Sequence, residues 1–404
     1  MKLTRAPVCA LLALLLVAGC AEQRESVQDT MGSLFKPKDE QSEALKKAAE
    51  ATPLDETFKS SITIQKVWSG RFGKGYEKLY LKLLPSWYED HIYVADRDGR
   101  VMAVNAATGE KTWEERDKKR LISGGPGVGE GKVFVGTTDA QVVARDAKTG
   151  EKIWIAEVSS EVLAAPRAGG GVVLIRTGDG KLYALDAASG VQKWVFDRTI
   201  PTLTLRGSAA AVIHDDKVLA GFDNGRFSAL ELTTGKELWE TRLGEPKGRS
   251  DLERLIDVDS EPVIRDNTAY VDCFQGRVAA VSLDDGSLEW TRQISSYEDV
   301  AVDEEHVYVT DEHSVVWALK RSDGSTVWRQ KGLKNRRLTG ATLYGKQIVV
   351  GDFEGYLHWL DVTTGEIVGR ERIDKERIIT PPINIGTALV GYSSSGEMSA
   401  WHVD

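Results

Sequence analysis

One sequence unit of about forty residues recurs along the chain, and this repeat restricts the fold more than any other feature. Its clearest copy is GDGKLYALDAASGVQKW (Gly178–Trp194). Six related copies begin at Asp98, Asp139, Asn224, Gln275, His313 and Glu354. The copy that begins at Glu354 has Gly369 where the others end in tryptophan. From Trp113 to Trp328, the tryptophans that end these copies are 41, 40, 45, 51 and 38 residues apart, which is typical of the blades of a β-propeller.

Each copy predicts two turns and two strands. In three copies the first turn is an Asp-Gly or Asn-Gly pair, which favours a tight hairpin turn because such a turn needs positive φ. A run rich in valine, leucine and alanine then predicts a strand, and a Thr-Gly, Ser-Gly or Asp-Gly pair predicts a second turn before the strand that ends in tryptophan. A further strand pair precedes each copy, for example at KVFVGT (Lys132–Thr137). Four strands per unit indicate a propeller blade.

The two ends of the chain predict how the ring closes. The last segment, SSGEMSAWHVD (Ser394–Asp404), contains the first turn and the third strand of a unit but no fourth strand. The segment KVWSG (Lys66–Gly70) contains a tryptophan strand without the turn that should precede it. We therefore predict an all-β fold, an eight-bladed β-propeller of four-stranded blades over residues 61–404, with the last blade closed by the N-terminal strand. Such closure covers sheet edges that would otherwise promote aggregation.

The N-terminus has the pattern of a secreted protein. Lys2 and Arg5 precede the apolar run ALLALLLVAGC, which predicts a signal peptide over residues 1–19. The end of this run, VAGC, resembles a bacterial lipobox, which implies that Cys20 carries lipid, and Ala21 implies the outer rather than the inner membrane. The alternative is a soluble periplasmic protein cut near Cys20. Residues 20–60 are polar and predict a lipidated N-terminus and a flexible tether.

Charge and composition argue against several other functions. The formal net charge of −9 disfavours a nucleic-acid partner, which requires a basic surface. Cys273 lies in YVDCF, which predicts a buried strand and therefore a core residue rather than a nucleophile. The six histidines show no spacing typical of metal ligands, and no glycine-rich phosphate loop follows a strand. We expect no catalytic residue, no metal and no cofactor.

Two of the links between repeats are long and lie next to each other. The distance from the tryptophan to the start of the next blade is 12 residues after Trp154, 17 after Trp194 and 23 after Trp239. Because the strands of a blade alternate in direction, all links lie on the same face as the turns between second and third strands. The two long links thus form a candidate site, since binding residues often lie on loops held by a rigid scaffold. A third long link follows the tryptophan of the N-terminal strand, so length alone does not identify the site.

The first of these links contains IPTLTLRGS (200–208). Alternation along an extended chain would place Leu203 and Leu205 on one face, with Arg206 beside them. Two interpretations are open: the leucines are buried beneath the neighbouring link, or they form an exposed apolar pair beside a charge, as in a protein-binding hot spot.

The second link contains a helix signal followed by two acidic residues. Ser250 and Glu253 have the spacing of a capping box, and Leu255 and Ile256 continue a helical apolar pattern that begins at Leu252. This predicts a short helix with leucines packed on the propeller. Asp257 and Asp259 follow it, and an extended chain would direct both side chains to one side.

The repeat motif A-x-D-x-x-x-G-x-x-x-W resembles the tryptophan-docking repeat of pyrroloquinoline-quinone (PQQ) propellers. The chain as a whole resembles the BamB family, most specifically at SGRFG, LRG, LERLIDVD and VGDFEGYLHWLDV (Val350–Val362). This resemblance implies a non-enzymatic scaffold of the outer-membrane β-barrel assembly (BAM) complex, anchored by lipid at the periplasmic face of the cell outer membrane. It further implies that the chain binds the POTRA domains of BamA and assists the folding and insertion of outer membrane proteins. The family's L-x-L-R and D-V-D motifs form the BamA-binding surface, and here they are Leu203, Leu205, Arg206, Asp257 and Asp259.

Two alternatives remain open at this point. A PQQ-dependent quinoprotein dehydrogenase has the same repeat, but such enzymes resemble this chain only in their blades and normally carry two adjacent cysteines over the cofactor. No two cysteines are adjacent in this sequence. In the other alternative, unfolded outer membrane proteins are a direct partner, captured as an added strand at an open sheet edge.

Overall fold

The computed structural model describes residues 50–75, 81, 83–198, 209–246, 249–250 and 254–403. In these ranges the regular elements are 32 strands, which form eight four-stranded antiparallel sheets. This arrangement confirms the predicted eight-bladed β-propeller. None of these residues belongs to a helix with the length and apolar character needed to span a bilayer.

The chain enters the propeller through β1 (Ile64–Arg71), and the first four blades follow in order. Blade 1 consists of β2 (Ser86–Tyr88), β3 (His91–Asp96), β4 (Arg100–Asn105) and β5 (Lys111–Arg116). Blade 2 consists of β6 (Ile122–Gly129), β7 (Lys132–Thr137), β8 (Gln141–Asp146) and β9 (Lys152–Glu157). Blade 3 consists of β10 (Arg167–Gly169), β11 (Val172–Arg176), β12 (Leu182–Asp186) and β13 (Gln192–Phe196). Blade 4 consists of β14 (Val212–His214), β15 (Lys217–Phe222), β16 (Arg226–Glu231) and β17 (Glu237–Arg242).

The remaining blades repeat this order, and the last one recruits β1. Blade 5 consists of β18 (Val263–Arg265), β19 (Thr268–Val271), β20 (Val278–Ser282) and β21 (Leu288–Arg292). Blade 6 consists of β22 (Ala301–Val302), β23 (His306–Thr310), β24 (Val316–Lys320) and β25 (Thr326–Gln330). Blade 7 consists of β26 (Thr342–Tyr344), β27 (Gln347–Gly351), β28 (Tyr356–Asp361) and β29 (Ile367–Arg372). Blade 8 consists of β30 (Ile383–Asn384), β31 (Leu389–Tyr392), β32 (Glu397–Val403) and β1.

The N-terminal strand closes the ring as predicted. β1 pairs antiparallel with β32, so that Ile64 lies opposite Val403 and Arg71 lies opposite Glu397. The first strands of neighbouring blades contact one another, for example β6 with β10 and β10 with β14, which places them at the centre of the ring. The fourth strands are therefore the outermost ones.

The docking tryptophans join each blade to the next. Each indole ring lies over the glycine of the next blade's second turn, where the chain has positive φ, for example +77° at Gly190 beneath Trp154. A Cβ on Gly190 would come within 2.7 Å of the Trp154 ring, so this position requires glycine for space as well as for φ. Each indole Nε1–H donates to a carbonyl beside that turn, at 2.8–3.1 Å: Trp68 to Ala106, Trp113 to Ala147, Trp154 to Ala187, Trp194 to Leu232, Trp239 to Leu283, Trp290 to Arg321 and Trp328 to Val362.

Blade 7 lacks the docking tryptophan for a topological reason. Its neighbour, blade 8, takes its third strand from the C-terminus and its fourth from the N-terminus, so no turn joins them to receive an indole ring. Gly369 stands at the tryptophan position and leaves space that Ile62 and Ile64 fill. The exception in the repeat thus marks the place where the ring closes.

Residues 51–63, which we call the strap, lie along the outer edge of blade 7. Ser61 N donates to Val368 O at 2.8 Å, and Thr52 N donates to Lys334 O at 2.9 Å in the link between blades 6 and 7. Arg370 donates to Asp55 O at 3.0 Å, and its guanidinium lies 4.7 Å from the centre of the Phe58 ring. The strap therefore covers the edge of an outermost strand, and the part of the predicted tether from residue 52 onward is held on the propeller.

A buried charged network fixes the strap from below. Arg336 donates through Nε to Asp352 Oδ2 at 2.8 Å and through Nη1 to Thr52 O at 3.0 Å. His358 Nε2 lies 2.9 Å from the same Asp352 oxygen, and Arg370 Nε lies 3.4 Å from His358 Nδ1. Burial lowers the pKa of His358, so the imidazole is neutral, with Nε2–H donating to Asp352 and Nδ1 accepting from Arg370.

Candidate partner-binding face

We call the end of the propeller that carries the links between blades the link face. The turns between second and third strands lie there as well, because the four strands of each blade alternate in direction. Of the residues predicted to bind a partner, Asp257 and Asp259 lie in the described part of this face. Leu203, Leu205 and Arg206 lie outside the described residues, as does the predicted lipidation site Cys20.

The second long link is packed on the propeller, but its described part is not helical. Arg254 lies in a turn, and its N–H donates to Ser250 O at 3.1 Å, a bond of helical spacing that is not continued at Leu255 and Ile256. Leu255 and Ile256 are 6% and 3% exposed. The predicted packing of the apolar residues is confirmed for these two. The prediction of a helix is wrong at 254–256, and residues 251–253 lie outside the described residues.

The two aspartates of the second link differ in exposure. Asp257 and Val258 are fully buried, whereas Asp259 is half-buried. Asp257 forms an isolated β-bridge with Phe274, whose N–H donates to Asp257 O at 2.8 Å. Val258 fits against Gly221, where a Cβ would come within 2.4 Å of its Cγ1. The second link thus packs against blade 4 at Gly221 and against blade 5 at Phe274, and it buries Asp257 while Asp259 stays partly accessible.

Asp259 connects the two long links. Its Oδ1 accepts the backbone N–H of Ala209 at 2.9 Å, and Ala209 is the first described residue after the range 199–208. A hydrogen bond from a backbone amide to a carboxylate is one of the stronger kinds in proteins. The C-terminal end of the first link is thus fixed on the second link.

Arg198 holds the other end of the first link. It is the last described residue before 199, and its guanidinium forms ion pairs with Glu237 and Glu240 on β17, the outermost strand of blade 4. Arg226 pairs with Glu240 from β16. The Arg198 side chain is only 16% exposed, so the fork of the guanidinium is fixed between two carboxylates rather than free in solvent.

An aromatic contact completes this anchor. The Arg198 guanidinium lies 5.2 Å from the centre of the Phe196 ring and 5.1 Å from that of Phe222. Arg176 contacts Phe222 as well, at 5.6 Å, and donates to Gly221 O and to Asp223 Oδ1, each at 2.5 Å. The chain on both sides of the first link therefore rests on a rigid base formed by blades 3 and 4.

A buried carboxyl group lies beneath the second link. Asp272 follows β19 and is completely buried, and burial raises its pKa to about 7. The charges of Glu298 and Asp259 act in the same direction, whereas the hydroxyls of Ser260 and Ser296 oppose it. Deep burial beside other carboxylates thus places the titration of Asp272 near neutral pH.

Sequence reasoning missed Arg198 and Asp272. Arg198 had a signal, because it directly precedes an insertion and the next repeat carries Glu237 and Glu240 on either side of its tryptophan. Asp272 had no such signal, because the segment DCF that begins at Asp272 resembles the segment DFE that begins at Asp352 in blade 7. The two aspartates nevertheless differ: Asp352 pairs with Arg336, whereas no arginine among the described residues pairs with Asp272.

Two further kinds of group could carry chemistry: the thiol of Cys273 and clusters of metal-binding side chains. Cys273 is buried and burial raises the pKa of its thiol, which confirms its expected place in the core. Across the part of the chain that the structure describes, no three histidine, cysteine, aspartate or glutamate side chains are grouped so that they could hold a metal ion.

The fold and the docking tryptophans define a class, the propellers of PQQ-like repeats. Within it, the family model described as outer membrane protein assembly factor BamB matches residues 97–330. The curated BamB of Alkalilimnicola ehrlichii is 45% identical over 339 residues, which cover 84% of this chain and 88% of that protein. The BamB of Pseudomonas aeruginosa is 42% identical over 346 residues, or 86% and 91% of the two chains. The chain belongs to the BamB family.

Solved structures agree with this placement. The crystal structure of BamB from Moraxella catarrhalis has a TM-score of 0.78 at 27% identity, and the match covers 84% of this chain and all of that chain. A quinohemoprotein alcohol dehydrogenase from Comamonas testosteroni has a TM-score of 0.68 at 13% identity, over 86% and 78% of the two chains. At that identity the likeness concerns the fold alone.

Proposed function

We propose that the chain is a non-enzymatic scaffold subunit of the BAM complex that binds the POTRA domains of BamA through its link face and assists the folding and insertion of outer membrane proteins. Residues 1–19 are its signal peptide, and lipid on Cys20 anchors it at the periplasmic face of the outer membrane. Residues 20–60 are the tether, of which the part from residue 52 follows the edge of blade 7.

The contact between the two long links supports this proposal most directly. The hydrogen bond from Ala209 to Asp259 unites the segment that carries Leu203, Leu205 and Arg206 with the segment that carries Asp257 and Asp259. The first link re-enters the described part of the chain at Ala209, and there it is bonded to the second link, more than fifty positions further along the chain. A compact group of apolar and charged side chains on a rigid base is typical of a protein-binding hot spot.

We assign different roles to these residues. Asp257 is fully buried, so it acts from beneath the surface, whereas Arg206 and the two leucines are the residues proposed to contact BamA. Truncation of a central arginine in a hot spot typically costs 2 kcal/mol or more, which corresponds to a roughly thirtyfold loss of affinity.

The test is co-purification of BamA with the full-length lipidated protein. We expect Arg206→Ala to reduce the amount of bound BamA strongly while the thermal melt stays at the wild-type temperature. Arg265→Ala is the matched control, because Arg265 pairs with Glu304 at 3.2 Å at the opposite end of the blades, away from the links. Equal BamA recovery with the Arg206→Ala and wild-type proteins would reject the proposed site.

A further inference from the structure

We propose that Arg167, on the innermost strand of blade 3, is a positioning residue for partner binding: through Glu261 it holds the C-terminal end of the second link. This inference rests on the proposed function, because it concerns how residues 257–262 of the link face are held. It adds to that function a residue that belongs to neither long link.

The ion pair of Arg167 joins two blades that are not neighbours. Arg167 is the first residue of β10, and its Nη2 donates to both carboxylate oxygens of Glu261, at 2.5 and 2.6 Å. Glu261 lies two positions before β18 of blade 5, so blade 4 stands between the two partners in the ring. Their side chains are only 32% and 21% exposed, and salt therefore screens this pair less than one on the open surface.

The repeat does not account for a charge at this place. Arg167 lies opposite Leu174 of β11, and none of the residues at the corresponding register in the other seven blades is charged. These residues are Ser86, Gly127, Val212, Val263, Ala301, Thr342 and Ile383. Because a charge on a largely buried strand is costly without a partner, the pair with Glu261 is what makes an arginine acceptable here.

Glu261 ends a stretch of the second link that is already fixed on other blades. Val258 N–H donates to Phe222 O of blade 4 at 3.3 Å. Glu261 N–H donates to Asp299 Oδ1 at 2.8 Å, in the segment that leads into blade 6. The charge of Glu261, and less strongly that of Asp299, raises the pKa of Arg167, so both carboxylates lie near the guanidinium. Without Arg167, two like charges would repel each other at this end of the link.

The position of Glu261 matters for the aspartates of the second link. Asp259 lies two positions before Glu261, and it is the half-buried member of the pair formed with the fully buried Asp257. A displacement of Glu261 is therefore passed along a short stretch of backbone to both aspartates. A surface that is held in place before a partner arrives loses less conformational entropy on binding, and this raises affinity.

The experiment combines affinity with amide exchange on the full-length protein. Purified BamA in detergent is the binding probe, and hydrogen exchange reports on residues 257–261. We expect Arg167→Met and Glu261→Gln each to weaken BamA binding about fivefold and to accelerate exchange in this range. Arg167→Lys should lie between Arg167→Met and wild type, since lysine keeps the charge but not the planar fork.

Arg265→Met is the matched control. Arg265 also lies on an innermost strand, its side chain is 39% exposed, and it pairs with Glu304 at the end of the blades opposite the link face. The control removes the same charge, and we expect it to leave both BamA binding and exchange over 257–261 at their wild-type values.

A double-mutant cycle separates positioning from a change in charge. The variant Arg167→Met/Glu261→Gln has the net charge of the wild type, and both residues act through one ion pair. The fivefold effect of Arg167→Met should thus shrink to less than about twofold in a Glu261→Gln background. Equal losses in both backgrounds, or exchange over 257–261 that neither single variant accelerates, would overturn the inference.

The result for Arg206→Ala distinguishes this inference from the proposed function. If Arg206→Ala weakens BamA binding while Arg167→Met and Glu261→Gln do not, the inference is overturned and the proposed function stands. If the two variants accelerate exchange but neither they nor Arg206→Ala affect BamA binding, the hold of Arg167 on the second link is supported and the proposed binding site is rejected.

Discussion

Ile64 lies where the side chain of a docking tryptophan at position 369 would project: its Cδ1 is 2.6 Å from the position of a Cβ on Gly369. Ile62 Cδ1 is 3.0 Å from the same point. The two isoleucines belong to the N-terminal segment that closes the ring, so the one repeat without its tryptophan is the one whose neighbour is assembled from both ends of the chain.

From this contact we predict that a tryptophan at position 369, which would complete the repeat motif, lowers the stability of the fold. Gly369→Trp should destabilise the fold by roughly 1–3 kcal/mol, because the indole has no turn to dock on and must displace Ile62 and Ile64. Urea unfolding followed by circular dichroism measures the effect. A variant as stable as wild type or more so would show that the space at Gly369 is not needed for the N-terminal segment.

The glycines beneath the docking tryptophans should be more costly to replace by alanine than glycines elsewhere that also have positive φ. Gly235 has a φ of +71°, and a Cβ there would come within 2.6 Å of the Trp194 ring, whereas Gly386 has a φ of +79° with no atom within 4 Å of its Cβ position. Gly386→Ala therefore measures backbone strain alone, about 1 kcal/mol. Gly235→Ala adds the clash with the indole and should cost a further 1–3 kcal/mol or so in urea unfolding. Equal losses would mean that the indole adapts freely.

The charged network under the strap predicts a large effect from one buried arginine. Arg336 and Asp352 have side chains 3% and 0% exposed, and removing the arginine leaves a buried carboxylate without its cation. Burial works to raise the pKa of Asp352, but the hydrogen bond from His358 and the charge of Arg336 outweigh it, so the pKa is lowered and the group stays ionised. Arg336→Met should thus cost about 3–5 kcal/mol in unfolding free energy and should speed proteolysis within residues 51–63.

Arg71 provides the control for this prediction. It pairs with Glu397 at 3.1 Å in an exposed position, with its side chain 63% accessible to solvent. Such surface pairs contribute about 0–1 kcal/mol, so Arg71→Met should leave both unfolding and proteolysis nearly unchanged. Similar losses for the two variants would contradict the role assigned to the buried network.

The sequence predicted the parts of the fold that repeat. Turn pairs, strand runs and tryptophan spacing were enough for the eight blades and for closure by β1, because each of these depends on residues within one unit or on a simple gap in the pattern. The strap was not predicted, because residues 51–63 have no counterpart in any other repeat.

The candidate site could be predicted from the sequence only in part. The two long links and their common face followed from counting residues. The burial of Asp257 did not follow from the sequence. Alternation along an extended chain predicts the same direction for Asp257 and Asp259, and it contains no information about the bridge between Asp257 and Phe274. Arg198 and its carboxylates are some forty positions apart, so their pairing depends on how neighbouring blades meet.

Asp272 predicts a dependence of stability on pH. Its pKa is about 7 in the folded chain, against about 3.9 for an unfolded aspartate, so the folded chain binds this proton more tightly. The group therefore favours the folded state below about pH 4, and this contribution is lost as the pH rises toward 7. Asp272→Asn removes the charge while keeping the shape, so it should exceed wild type in stability at pH 8, and the difference should shrink at pH 5. Each unit of pKa shift corresponds to about 1.4 kcal/mol.

Asp285→Asn is the control of opposite sign. The hydrogen bonds from Ser287 lower the pKa of Asp285, so wild type should lose any advantage over this variant as the pH falls. Urea midpoints at pH 5 and pH 8 measure the effect of Asp272, and midpoints at pH 5 and pH 3 measure that of Asp285, because the Asp285 carboxyl titrates only below about pH 4. If the difference between Asp272→Asn and wild type is the same at pH 5 and pH 8, the carboxyl does not titrate in this range and is ionised or protonated throughout.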